Sequence, residues 1–135
     1  MKKRSRALFV IFALTVMIAG TAFLFWDIPP TIPAFDEARF IQIGDRDPKR
    51  VEIIKEDLGK LRQIIEATKR DRFPMKWEVL GTLELRANGT TISTIQMFSN
   101  PNGPGPLEIS DSYYLGYDQE SFQKIIGRAI SIDKQ

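Results

Sequence analysis

The sequence predicts an α+β protein: an N-terminal single transmembrane helix followed by a small two-layer domain of order β-α-β-β-β-α on an antiparallel sheet. Three observations carry that expectation. Residues 7–26 are apolar and uncharged throughout. From Trp77 to Ser99, apolar and polar residues alternate on both sides of Asn88-Gly89, the strongest short hairpin signal a sequence offers. On either side of that hairpin, two stretches carry apolar residues at the three- and four-residue spacing of an amphipathic helix.

The chain has 135 residues, and those beyond the apolar run suffice for one small domain with a modest core. A pI near 9.0 hints at nucleic acid only until the charges are placed. Lys2, Lys3, Arg4 and Arg6 precede the run, leaving 15 basic against 17 acidic residues after it. The domain is therefore not basic, and no nucleic-acid partner is expected. Cysteine is absent, excluding disulfides, thiolate metal sites and thiol nucleophiles. Histidine is absent too, which removes the usual general base near neutral pH, the commonest metal ligand and every Ser-His-Asp arrangement. No cofactor is expected.

Residues 1–6 form the basic segment and 7–26 the span, which as a helix reaches roughly 30 Å, the thickness of a bilayer's hydrocarbon. Trp26 suits the membrane-water interface, and basic residues before the run against Asp27, Asp36 and Glu37 after it place the amino terminus in the cytoplasm and the domain outside the cell membrane. The alternative is a secreted protein cleaved after Ala22, which leaves an apolar new terminus beginning Phe23-Leu24-Phe25-Trp26. Residues 27–38 contain Pro29, Pro30 and Pro33 and read as a semi-rigid spacer holding the domain just off the membrane.

The domain then occupies 39–135. Arg39 to Ile43 reads as a short strand. The stretch from Asp47 to Asp71 reads as a long helix capped by Asp47, with Pro48 in its first turn and Val51, Ile54, Leu58, Leu61 and Ile65 in one stripe; Glu56 with Lys60 and Glu66 with Arg70 are spaced to pair. In the hairpin, Trp77, Val79, Leu83 and Leu85 share a face. Ile92, Ile95 and Met97 can join them only if a β-bulge interrupts the returning strand near Ser93-Thr94. Leu58 and Leu83 are expected to be fully buried. Asn100 to Pro106 is a stiff loop. Leu107 to Tyr117 reads as one further strand interrupted by Asp111, with Tyr113 and Tyr117 inward and Tyr114 outward. The last helix is capped by Asp118 and buries Phe122, Ile125, Ile126, Ala129 and Ile130.

Chemical motifs are sparse, and each has a plainer reading. Ser121 and Lys124 match a Ser-x-x-Lys pattern but sit in an ordinary capped helix. Asp45 and Asp47 form an Asp-x-Asp pair suited to a hard cation, although helix capping already accounts for Asp47. Asp111 with Asp118 or Glu120 supplies carboxylates, and nothing sets two of them across a cleft. Asn88-Gly89-Thr90 fits a glycosylation acceptor less well than a tight turn. Lys69, Arg70, Arg72 and Lys76 surround Phe73 and could meet anionic headgroups or an acidic partner.

The function expected on these grounds is that of a membrane-anchored extracytoplasmic interaction module, an accessory of a membrane or envelope complex without catalytic activity. Its partner surface is placed at Tyr114, Asn100, Asn102, Arg72 and Phe73, on the sheet face that two helices leave open. Two alternatives stand beside it: a structural subunit whose anchor contacts other helices at Ala19 to Ala22 around Gly20, and a small carboxylate- or serine-dependent hydrolase.

Overall fold

Asn88 (φ 53°) and Gly89 (φ 77°) close a two-residue turn between β4 (Glu78–Ala87) and β5 (Thr90–Ser99), as the alternation on either side predicts. Positive φ at both positions matches the turn to the right-handed twist of the strands, and glycine tolerates that conformation without strain. The computed structural model containing this hairpin describes residues 2–24, 28–44 and 46–135. The roles expected for Trp26, Asp27 and Asp45 fall outside the described residues.

The hairpin lies at the centre of an antiparallel sheet of seven strands. It is flanked by β1 (Glu37–Gln42), β2 (Lys49–Glu52), β3 (Lys69–Arg70), β6 (Gly105–Ile109) and β7 (Ser112–Tyr117), in the order β2-β1-β4-β5-β6-β7-β3. Two helices, α2 (Leu58–Glu66) and α3 (Gln119–Asp133), supply Leu61, Ile64, Ile65, Phe122, Ile125, Ile126 and Ala129 to the core against Ala38, Phe40, Leu83, Leu85, Ile95, Met97, Leu107 and Ile109 of the sheet. Phe122 meets Phe40 and Tyr117 edge-on, with ring centroids 5.2 and 5.7 Å apart. The class is therefore α+β. The strand count departs from the expected β-α-β-β-β-α order.

Two differences account for that departure, and a third concerns which tyrosines face the core. The long helix expected from Asp47 to Asp71 is instead β2, a single 3-10 turn (Lys55–Asp57) and the nine-residue α2. Val51 and Ile53 are buried while Glu52 between them is exposed, so burial here has the two-residue period of a strand. β-branched residues suit that extended geometry, and Val51 pairs with Phe40 across the ladder. Asp47 caps no helix. The stripe begins only at Leu61, and Leu58 is half-buried rather than fully so. Glu66 pairs with Arg62 at 2.9 Å, while Arg70 has passed into β3.

Second, the single strand expected over Leu107 to Tyr117 is a hairpin. Ser110 (φ 50°) and Asp111 (φ 61°) turn the chain between β6 and β7. Third, Tyr114 lies on the core face and is 8% exposed, reversing the expected outward placement. Its ladder partner is the fully buried Leu107. Tyr117 is also fully buried although only three residues away, and the register slips there: Gly105 pairs with Tyr117 but Pro106 with Leu115, leaving Gly116 (φ 113°) as an extra residue. The two-residue turn at Ser110-Asp111 sets Tyr114 opposite Leu107 on the core face and Tyr113 on the other, and the bulge at Gly116 then brings Tyr117 inward as well.

The bulge expected near Ser93-Thr94 lies one residue earlier. Leu85 pairs with Ser93 and Arg86 with Thr91, so Ile92 is the extra residue. Ile95 and Met97 are fully buried as expected, whereas Ile92 is 39% exposed and does not join them. A second slip, between Val79 and Gly81, brings Gly81 to the core face, where an added Cβ would strike the Phe40 ring and the Ile41 carbonyl.

Candidate functional site

The first unusual surface is α1 (Lys2–Leu24). Arg4–Phe23 has a mean hydropathy of 2.0, and none of it is buried against the rest of the protein. Its two threonines satisfy their hydroxyls internally: Thr15 donates to the Ile11 carbonyl at 2.9 Å and Thr21 to the Met17 carbonyl at 2.7 Å. The helix is long and apolar enough to span a bilayer or to serve as a signal sequence.

Residues 28–36, expected to be a spacer, run along the domain. Pro30 and Ile32 are buried, and the Ile28 carbonyl accepts the Arg70 N–H at 2.9 Å. Arg62 donates to the Pro33 carbonyl at 2.8 Å and stacks its guanidinium 4.9 Å from the Phe35 ring. Asp36 donates its N–H to the Arg86 carbonyl at 3.0 Å and accepts from Asn88 N–H. Extended backbone without a helix's internal bonds is held here by the domain's own donors and acceptors.

The expected partner residues fall in three separate places. Tyr114 is in the core, with the Arg70 guanidinium 5.9 Å from its ring. Asn100 and Asn102 lie in the loop between β5 and β6, which Gln119 holds: its carbonyl accepts the Asn100 N–H at 2.9 Å and its amide donates to the Asn100 and Gly103 carbonyls. The Asn100 side chain accepts the Asn102 N–H at 3.1 Å, closing the loop on itself. Arg72 and Phe73 lie in the loop between β3 and β4. Arg72 donates to the Phe23 carbonyl at 3.0 Å and sits 5.0 Å over the Phe23 ring, while Phe73 is 85% exposed.

Among the described residues, no helix packs on the sheet face opposite α2 and α3, and that face is mostly polar. Arg39 donates to Glu52 and lies 3.9 Å from Glu84, and that hydrogen bond with Glu52 raises its pKa above the ordinary guanidinium value. One end is apolar, where Phe98 meets Tyr113 with ring centroids 6.1 Å apart.

A second groove, of about 360 Å³, runs between β2 and the C-terminal half of α3. Val51, Ile53 and Ile54 supply apolar side chains to one wall and Ala129, Ile130 and Ile132 to the other, and charged residues of both segments line it as well. β2 is an outer strand of the sheet, and at the opposite edge β3 is already covered by Ile28. Ile53 N–H donates to the Ala38 carbonyl at 2.9 Å. The alternation of an antiparallel ladder therefore points the N–H and C=O of Arg50 and Glu52 away from β1, toward the open side. The sequence expectation of a helix over these residues contained no such groove; the one trace of β2 in the sequence is the apolar-charged-apolar order of Val51, Glu52 and Ile53.

The chemical motifs do not converge. Ser121 donates its hydroxyl to Asp118 at 2.7 Å and Lys124 donates to Glu120 at 2.7 Å, so the two are engaged separately. Asp118 caps α3 as expected, accepting the Ser121 N–H at 3.1 Å, and the Ser121 hydroxyl and N–H together hold its pKa below the ordinary carboxylate value. Asp111 lies in the turn before β7. Among the described residues, no three acidic side chains gather as metal ligands would. Comparison with known proteins found no matching family model, no matching curated protein and no matching solved structure.

Proposed function

We propose that this chain is a membrane-anchored binding module that takes an extended segment of a partner protein along the β2 edge, and that it is not an enzyme. One observation carries the reading: a sheet edge with outward backbone donors and acceptors at Arg50 and Glu52 runs beside an apolar groove roofed by α3. An added strand would complete the ladder and seat alternate apolar side chains against Ile53, Ile54, Ile130 and Ile132. In this reading α1 stays in the membrane, the basic Lys2, Lys3, Arg4 and Arg6 remain in the cytoplasm, and the domain lies outside. Support for the anchor comes from the unburied apolar surface of Arg4–Phe23.

The test begins with a photoreactive side chain at Ile54 in the full-length protein in native membranes, followed by synthesis of the captured segment. Arg50→Pro removes an outward N–H while sparing the ladder to β1, a position where an edge strand tolerates proline. It should weaken binding of that segment by about tenfold, the equivalent of roughly 1.4 kcal/mol and close to one or two backbone hydrogen bonds. Unchanged affinity in a folded Arg50→Pro protein refutes strand addition. Replacing α1 with an unrelated spanning helix should preserve binding; loss would favour a structural subunit acting through its helix at Ala19 to Ala22.

A further inference from the structure

We infer that the β3–β4 loop is a second membrane contact, inserting Phe73 and Met75 into the headgroup boundary of the bilayer that α1 spans. The inference rests on the anchor reading above. Phe73 is 85% and Met75 69% exposed, values as high as those of the side chains on α1 itself, where Phe9 is 73% and Met17 66% exposed. Position says what would cover them. Arg72, next to Phe73, holds the end of α1 through the Phe23 carbonyl and ring, so the loop sits where the helix leaves the membrane.

The chemistry of the loop fits an interface. Arg72 and Lys76 flank the two apolar side chains, and Asp71 is drawn into the loop's own turn, where its carboxylate accepts the Phe73 N–H at 3.0 Å. Cationic groups at the level of anionic headgroups with apolar side chains about 5–10 Å deeper is the arrangement of an interfacial segment. A cleft of about 550 Å³ between Phe23 and the loop, bordered by the cationic Arg70 and Arg72 and by the acidic Asp71 and Asp111, leaves room for a headgroup beside the helix.

The consequence is orientation. β3 is the edge strand beside α1, and β2 is the opposite edge. Six interstrand spacings separate them, about 29 Å at the usual spacing. A helix and a loop are two points of attachment, so the domain would stand on its β3 edge and present the β2 groove away from the lipid.

The absence of cysteine makes the test direct. Single cysteines at Ile11, Phe73, Met75 and Gln123 of the full-length protein, each spin-labelled, are placed in phosphatidylethanolamine-phosphatidylglycerol vesicles. Collision with oxygen is compared with collision with a water-soluble nickel chelate. Labels at 73 and 75 should favour oxygen several-fold more than the label at 123, at a shallower depth than the label at 11. If position 11 is immersed while 73 and 75 match 123, the loop inference is wrong and the anchor stands. If position 11 is itself in water, the anchor reading fails and takes this inference with it.

Discussion

Arg128 of α3 donates to Asp57 at 2.7 Å, and this pair ties the start of α2 to the last helix. Asp57 is 3% exposed and its second carboxylate oxygen has no partner among the described residues, while the arginine remains partly in solvent. The acid therefore depends on one donor. Arg128→Ala should destabilise the protein by about 1–3 kcal/mol, because a buried carboxylate is left without compensation. Asp57→Asn in the Arg128→Ala background should recover part of the loss. Urea unfolding of the full chain in detergent measures both, and additive effects would show that the pair is not coupled.

Tyr117 donates its hydroxyl to the Phe98 carbonyl at 2.6 Å from a fully buried position. Burial raises the phenol pKa well above its ordinary value. A raised folded-state pKa means that the stability is fully present below the unfolded tyrosine pKa near 10 and is lost as pH rises beyond it. Tyr117→Phe should cost about 1–3 kcal/mol at neutral pH. It should also flatten the fall in stability above about pH 10 relative to wild type, and an unchanged alkaline slope would assign that fall to other groups.

Two glycines should respond with opposite signs. A Cβ at Gly105 would run into the Tyr117 ring, whereas Gly127 in α3 has open space around it. Gly105→Ala should destabilise by about 1–3 kcal/mol through overpacking. Gly127→Ala should stabilise by roughly 0.5–1 kcal/mol, since alanine restricts the unfolded chain and suits a helix. Thermal melting distinguishes them, and a loss at both sites would mean that Gly127 is more crowded than its surroundings indicate.

Leu83 and Leu58 were alike in the sequence pattern and differ in the fold. Leu83 is fully buried, and Leu58 is packed against the core but only partly covered. Leu83→Ala should cost about 2–5 kcal/mol. Leu58→Ala should cost less than about 2 kcal/mol, in proportion to the smaller apolar area removed from water. Equal costs would mean that the start of α2 is more deeply buried than this.

Signals that act within a few residues were legible in the sequence. Asn88-Gly89 closes its hairpin because only that local pair takes two positive φ angles cheaply, and Asp118 caps α3 because its carboxylate reaches the Ser121 N–H. The apolar run of α1 needs no partner to form a helix, since every backbone bond lies within the segment. Decisions that depend on distant strands were not legible. Whether Val51 belongs to a helix or a strand was settled by Phe40 across the ladder, whether Tyr114 or Tyr113 faces the core was settled by the pairing of Tyr114 with Leu107, and a slip at Gly116 against Gly105 brought Tyr117 to the same side. A period-two pattern reverses its faces with a single extra residue, so the sequence marks which strands alternate but leaves the inward side to the pairing. The β2 groove and the docked course of residues 28–36 arise in the same way: each is built from surfaces that only the folded sheet brings together, and so the tertiary structure alone decided that they exist and where they lie.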